Sequence, residues 1–338
     1  MTSKKGARPA VIADVAKLAG VSVPTVSRVL TGAAKVRPEK VRRVMDAIAQ
    51  LNYRPSATAR ALASRQSHTI AIIAGNTSQY GYAETIRGVE EEARADGFTV
   101  TITVVESVDD DEIERATSLV LDQSPAGIVV LKFDPPGVAM LNTLPRDIPL
   151  VAVSGIRARD VPQAVLDEGT AAETLTEYLL GLGHRTVHHV RVPPSRREDG
   201  RTTGWRRALK KADAPIPAPF EATWEPASGR EIGRSIASDP EVTAVFCGND
   251  EIAMGVIKGL SDEGLSVPRD VSVVGFDDHP LAAMWSPALT TVRQDFGGLG
   301  ARAFELLRGS MRGDEGRKTS SALPELVLRE SAAAPSPR

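Results

Sequence analysis

Aromatic side chains are scarce in this chain, 4% of 338 residues, and cysteine is reduced to Cys247. One cysteine excludes an internal disulfide, and its place in the apolar run AVFC reads as a small core residue in a reducing compartment. Long apolar runs are missing too: nothing approaches the roughly 18 consecutive residues that span a bilayer, and no hydrophobic segment follows Lys4 and Lys5. A cytoplasmic protein without membrane contact is expected. The five histidines show no metal-ligand spacing with Cys or Glu, and neither a nucleophile elbow nor a phosphate loop is present. Accordingly no enzyme, catalytic residue, cofactor or metal site is expected. GLGARA at 298–303 is the nearest dinucleotide signature, but no ribose-binding acid is convincingly placed for it. The acidic run Asp109 to Glu112 suits a helix start and lacks the spacing of a calcium loop.

The net charge of −2 conceals a strong asymmetry. Residues 1–67 carry 13 Lys plus Arg against 3 Asp plus Glu, and the remainder carries 28 against 40. A basic head on an acidic body fits phosphate neutralisation, with binding that weakens as salt rises. Within the head, Ile12, Val15, Ala16 and Ala19 repeat at three and four residues and predict a first helix, which Gly20 ends with a sharp reversal. Ser22 is the expected cap of a second helix, with Pro24 in its first turn. Val26, Val29 and Leu30 give that helix its buried face and leave Val23, Pro24, Thr25, Ser27 and Arg28 to meet DNA. Pro38 starts a third helix, whose stripe is Val41, Val44, Met45, Ile48 and Leu51. The pattern is a helix-turn-helix, which places its second helix in the major groove of double-stranded DNA.

Beyond residue 68, short apolar runs alternate with amphipathic stretches: TIAIIA, TVTITVV, GIVVLK, PLVAVS, TVHHV, AVFC and VSVVGF. These read as buried strands of parallel sheets, separated by helices near 83–96, 111–123, 171–182, 229–238 and 251–263. The alternation implies doubly wound sheets. Such sheets bind ligands beyond the carboxyl ends of their strands, so polar residues after apolar runs matter. Ser154, Asn249, Asp277, Asp278, Asn76 and Thr77 all stand there, and Asp250 is the expected cap of the helix that follows it.

VIADVAKLAGVSVPTVSRVLTG followed by LNYRPSATARALASRQS resembles the head and hinge of the lactose repressor family of bacterial transcription factors. GLGHRTV at 181–187, FCGNDEIAMGV at 246–256, VSVVGFDD at 271–278 and LTTVRQDF at 289–296 extend the resemblance over nearly the whole chain. It implies an all-α head on an α/β body like periplasmic binding proteins, with two doubly wound lobes joined by three crossings. The expected division is a DNA-binding domain at 1–51, a hinge helix and linker at 52–67, and an effector-binding and dimerisation domain at 68–338. Within the last, one lobe would take about 68–165 and 293–323, the other about 166–292 and 324–331.

The resemblance adds Thr31, Tyr53, Arg60, Leu62 and Ala63 to the DNA-facing set, with Leu62 wedged into the minor groove. Residues 52–67 offer a helix of about nine residues, below the ~12–15 that hold a helix in isolation, so it should order on DNA. The implied effector contacts are Arg201, Asn249 and Asp277, where a guanidinium fork, an amide and a carboxylate can bracket hydroxyls or ring nitrogens. Tyr82 and Trp224 are placed to stack on a ring, whereas Trp205 suits the core. Ser154 departs from the Asp of many sugar-responsive relatives, so sugar-like, purine-like and other polar effectors all remain open. The implied function is repression by a homodimer on a pseudopalindromic operator, controlled by a small effector. A sugar-like effector is favoured, with a corepressor-dependent response to a purine or other non-sugar metabolite as the alternative, and the residues leave open whether the effector induces or corepresses; a free solute-binding protein lacks a reason to carry the basic head. No leucine heptads follow in the tail SAAAPSPR, which favours a dimer.

Overall fold

Three helices pack into the first unit: α1 (Ile12–Ala19), α2 (Val23–Thr31) and α3 (Pro38–Leu51). The computed structural model describes residues 10–31 (Thr31 by its backbone only), 36–53, 67–155, 161–193, 199–314 and 318–336, in two compact units divided between His68 and Thr69. The Asp14 carboxylate takes the Val11 N–H at 2.9 Å and starts α1. Gly20 ends it at φ +62°, a left-handed turn that an L side chain adopts only with strain. Val15, Ala16, Ala19, Val26, Val44, Ala47 and Tyr53 form the core of this unit. The apolar stripe of α3 differs from expectation at Met45, which is 53% exposed while Ala47 is buried. One step of about 100° turns Met45 away from Val44 and off the seam toward solvent.

The second unit begins with β1 (Thr69–Ala74), α4 (Tyr80–Ala95), β2 (Thr99–Val104), α5 (Asp110–Asp122), β3 (Gly127–Leu131), α6 (Pro135–Thr143), β4 (Leu150–Ser154) and β5 (Gln163–Leu166). There follow α7 (Glu168–Gly181), β6 (His188–Arg191), α8 (Gly200–Lys211), β7 (Phe220–Glu221), α9 (Pro226–Ala237), β8 (Ala244–Cys247), α10 (Asp250–Asp262) and β9 (Ser272–Val274). The chain closes with β10 (Thr291–Arg293), α11 (Phe296–Met311), β11 (Thr319–Ala322) and β12 (Glu325–Val327).

Two parallel sheets result. The first has the order β11-β5-β4-β3-β1-β2 and the second β7-β6-β8-β9, while β10 and β12 form an antiparallel pair. Each sheet is covered on both faces by apolar clusters, with β1, β3 and β4 contributing to two of them and β8 and β9 to the other two, one of which also takes Val190 of β6. TVTITVV, expected as a buried strand, forms the edge strand β2, whose Ile102 and Val104 are exposed. Successive side chains of a strand point to opposite faces, and here the face of Ile102 and Val104 is open while Thr101 and Thr103 on the other face are half-buried. Asp109 accepts the N–H groups of Asp111 and Glu112, so the acidic run does start a helix.

The chain passes between the sheets at three places: from β5 into α7, from β10 into α11, and from β11 into β12. Beyond β12 the tail lies along the second sheet, where Val273 N–H donates to the Ser331 carbonyl at 2.9 Å. His184 secures the same strap through Thr243 and the Ala333 carbonyl, each at 2.9 Å.

Candidate functional site

The first unit presents an exposed surface on α2. Val23, Pro24 and Arg28 are exposed, Thr25 and Ser27 half-buried, and Val26 fills the core beneath them. The Ser22 and Thr25 hydroxyls are 2.9 Å apart at the start of the helix. Tyr53 is packed into the core of the unit instead of standing on its surface. Arg60, Leu62 and Ala63 lie outside the described residues, as does the side chain of Thr31. Lys40, Arg42 and Arg43 on α3 are exposed, and Arg43 reaches back to the Gly20 carbonyl at 3.4 Å.

In the second unit, the carboxyl ends of both sheets face one cleft of about 680 Å³, its open mouth included. Tyr82, Ser154, Arg201, Trp224, Asn249 and Asp277 all line it. Ser154 ends β4, Asp277 follows β9, and Trp224 follows β7, so the strand-end rule accounts for their convergence. Tyr82 comes from α4 and Arg201 from the first turn of α8, which Asp199 caps through the Thr202 N–H at 2.6 Å.

Arg201 is the centre of the cleft. Its Nη2 donates to Glu168 Oε1 at 2.9 Å and lies 3.4 Å from Asp277 Oδ1, its Nη1 donates to the Gly248 carbonyl, and its guanidinium sits 4.6 Å from the Phe276 ring centroid. Burial acts to lower its pKa, but Glu168 and Asp277 outweigh burial and raise it, so the guanidinium stays charged. Burial pushes Asp277 up to about 7, against the opposing pull of Arg201 and of the Gln294 amide, which donates to Oδ1 at 2.8 Å. The Asp277 backbone takes φ +116° and Asp278 +54°, two successive left-handed residues. Asp278 anchors this loop through Arg329 at 2.6 Å and Arg293 at 2.8 Å.

Asn249 is the cap of α10, accepting the Ile252 N–H at 2.8 Å, and its Nδ2 donates to Glu251 Oε2 at 3.1 Å. Asp250, expected as the cap, instead sits inside the first turn, where it accepts from the Thr291 hydroxyl at 2.5 Å and the His279 N–H at 2.6 Å. The Asn249 backbone is extended at φ −148°, the conformation a cap requires, which Asp250 as a helical residue does not have. Tyr82 donates to Asp134, and its ring meets Phe133 edge to face at 5.2 Å. Burial, reinforced by Asp134, raises the Tyr82 phenol and keeps it a neutral donor. His189 lies beneath the cleft between the Phe246 carbonyl and the Thr202 hydroxyl, and burial drives its pKa down to about 4. It is a neutral core residue, as is Trp205, whose indole donates to the Val187 carbonyl.

The sequence reading missed Lys132, Glu168 and Glu251, all of which line the cleft. Lys132 directly follows β3 and obeys the same strand-end rule, but a lysine after an apolar run reads as a solvent-facing strand end. Among the described residues, no group of three or more His, Cys, Asp or Glu is arranged to hold a metal ion, and no helix is long and apolar enough to cross a membrane.

Burial of Asp277 has a measurable consequence. With its carboxyl raised from 3.8 to about 7, the folded chain holds a proton there that the unfolded chain releases. Stability should therefore fall as pH rises between those values, by up to about 1.4 kcal/mol per pH unit, and level off above them. Urea unfolding from pH 5 to 8 should show this slope in the parent and its loss in Asp277→Asn; equal slopes would refute it.

Residues 11–56 match the family described as "Bacterial regulatory proteins, lacI family", and residues 176–332 a "Periplasmic binding protein-like domain". The chain is 30% identical to catabolite control protein A of Priestia megaterium, over 94% of this chain and 97% of that protein. It is 35% identical to the transcriptional repressor PurR of Edwardsiella ictaluri, over 96% of this chain and 97% of that one. Among solved structures, the Lac repressor dimer bound to operator and the anti-inducer ONPF superposes with a TM-score of 0.88 at 26% identity, covering 97% of this chain and 100% of that one.

Proposed function

Because this chain belongs to the lacI family of bacterial regulatory proteins, it is a DNA-binding transcriptional repressor, and we propose that the cleft around Arg201 is the switch controlling its operator affinity. It acts as a dimer on operator DNA, as the Lac repressor does in the structure above. In this reading α2 enters the major groove, with Arg28 reaching a base or phosphate, Val23 and Pro24 offering apolar contact, and Thr25 and Ser27 positioning the backbone. Thr31, Tyr53, Arg60 and Ala63 remain candidates for the DNA side, and Leu62 for the minor-groove wedge. Tyr53 would act there through the packing of the head, since its ring is in the core. The cytoplasm, with the nucleoid when DNA is bound, is the assigned location.

The observation carrying this proposal is the way Arg201 is held. Its donors are engaged by Glu168, Asp277 and the Gly248 carbonyl, in a cleft whose walls carry Glu168, Asp199, Glu251 and Asp277 against Lys132 and Arg201. An anionic effector would have to displace two carboxylates from the guanidinium and meet an acidic wall. A neutral, hydroxylated effector can donate to those carboxylates and stack on Trp224, so a sugar-like ligand is favoured. The cleft binds without turnover.

Coupling to DNA follows from where these residues sit. Glu168 opens α7 at the first crossing between the sheets, and Asp277 is bonded to Gln294 at the second. A ligand that rearranges the triad of Arg201, Glu168 and Asp277 therefore acts on both crossings. Effector and operator must then change each other's affinity by the same factor. A thermal-shift screen of the full chain against sugars, sugar phosphates and nucleobases tests the ligand class, and Asp277→Ala tests the switch. The expected result is stabilisation by neutral sugars, with Asp277→Ala retaining operator affinity and losing the effector response. A normal response in that variant would refute the assignment.

A further inference from the structure

The exposed tip of α2 has almost no polar reach. Its first two residues, Val23 and Pro24, both face solvent, Val23 with 40% of its surface, and neither side chain carries a hydrogen-bond donor or acceptor. The backbone beneath them is turned inward: the Thr25 and Val26 N–H groups donate to the Ser22 carbonyl at 2.9 and 3.1 Å, and Pro24 has no N–H to offer. The Ser22 and Thr25 hydroxyls, 2.9 Å apart, are tied to each other. What remains polar at the tip is one hydroxyl proton of that pair and the Val23 N–H, donors at a helix start that suit a phosphate oxygen. Arg28, also exposed, stands one turn farther on, about 6 Å along the axis from Pro24.

The two apolar side chains are also stiff. Val23 is β-branched and Pro24 a closed ring, so together they present a fixed plateau that loses little entropy on contact. A helix-turn-helix sets the N-terminal residues of its second helix against base edges in the major groove. Those edges carry donors, acceptors and one apolar group, the C5-methyl of thymine. Covering a polar edge with this plateau strips water from it and returns no hydrogen bond. Covering a methyl removes two apolar surfaces from water at once.

We propose that Val23 and Pro24 read a pyrimidine C5-methyl rather than thymine as such, so that 5-methylcytosine replaces thymine at one position of each operator half-site while cytosine and uracil do not. The inference rests on the reading above that α2 enters the major groove. Thymine and 5-methylcytosine carry the same methyl on the same ring carbon, and differ beside it in O4 against an N4 amino group. Telling them apart takes a polar side chain at the contact, and the plateau has none. Methylation of a cytosine at that position therefore strengthens operator binding, which gives the head an input separate from the effector cleft.

The probe is a duplex enriched from random-sequence DNA by the full chain, with affinities read by fluorescence anisotropy at one fixed salt concentration. Each thymine of the half-site is replaced in turn, in both half-sites together, by deoxyuridine, by 5-methyldeoxycytidine opposite guanine, and by deoxycytidine opposite guanine. At one position deoxyuridine should cost about fourfold per half-site, the factor that burying one methylene-sized group supplies, and so about fifteenfold over a dimer site. There the 5-methylcytosine duplex should bind within about threefold of the thymine duplex, less than the loss of the methyls costs, and the cytosine duplex as weakly as the uracil one. Val23→Ala and Pro24→Ala should each shrink the ratio of thymine to uracil affinity. That ratio is taken within one variant, so a general loss of binding does not imitate the effect. Equal affinity for thymine and uracil at every position, a 5-methylcytosine duplex as weak as the cytosine one, or an undiminished ratio in both variants would overturn the proposal while leaving operator binding in place. Failure to enrich any duplex would refute DNA contact by α2, and this inference with it.

Discussion

Arg201→Leu should destabilise the body by about 3–5 kcal/mol, because it strands two buried carboxylates at once. Glu168 and Asp277 both rely on the same Nη2, and the Gly248 carbonyl relies on Nη1. Removing one member of a buried ion pair exposes the full desolvation cost of what remains, whereas removing both can be nearly neutral. Arg201→Leu combined with Glu168→Leu should therefore recover part of the loss, a coupling that a double-mutant cycle reads directly. Urea denaturation of the single and double variants is the measurement. A single-variant loss below about 1 kcal/mol, the range of exposed pairs, would show that the triad is solvated and that its geometry does not hold the cleft.

Deleting residues 1–67 should abolish operator binding while leaving ligand-induced stabilisation of the body intact. The head carries 13 basic residues against 3 acidic ones, and the remaining body 28 against 40. Without the head, the chain loses both base readout and phosphate neutralisation and meets DNA with like charge. Specific sites are bound roughly 10³–10⁷ times more tightly than nonspecific DNA, so the loss should exceed three decades in a fluorescence-anisotropy titration. The body divides from the head between His68 and Thr69 as a compact unit with its own four clusters, which is why its thermal response to effector should persist. Loss of both properties together would contradict this modularity.

The head was legible in the sequence because its signals are local. Gly20 and the spacing of Val15, Ala16 and Ala19 depend only on residues within one turn, and the structure forms the helices and the reversal at those positions. The polar ends of the body strands were legible for a similar reason: an apolar run that stops at Ser154 or Asp277 marks its own end. Glu168 and Glu251 were not, since what draws them into the cleft is Arg201 and Asn249, far away in sequence or hidden by a cap. Helices α6, α8 and α11 are not among those expected from the sequence, and the last two, GRTTGWRRALKK and FGGLGARAFELLRGSM, carry glycines that lower helix propensity. Their glycines serve packing: a side chain at Gly204 would collide with the Gly169 carbonyl, and one at Gly300 with the Thr85 carbonyl. Close approach of two helix backbones is a tertiary demand that helix propensity cannot register.

The strand order of the first sheet also bears on how the protein is born. β11, at Thr319–Ala322, is an outer strand of a sheet whose other five strands end at Leu166, and α11 covers that sheet only after residue 296. The second sheet is complete once Val274 has emerged. On a ribosome, which releases the chain from its amino end, the later-starting lobe finishes first. The earlier one waits with β5 unpaired on its outer side until Thr319–Ala322 has emerged. A nascent repressor thus carries its DNA-binding head from the outset but completes the lobe joined to that head among the last of its structures.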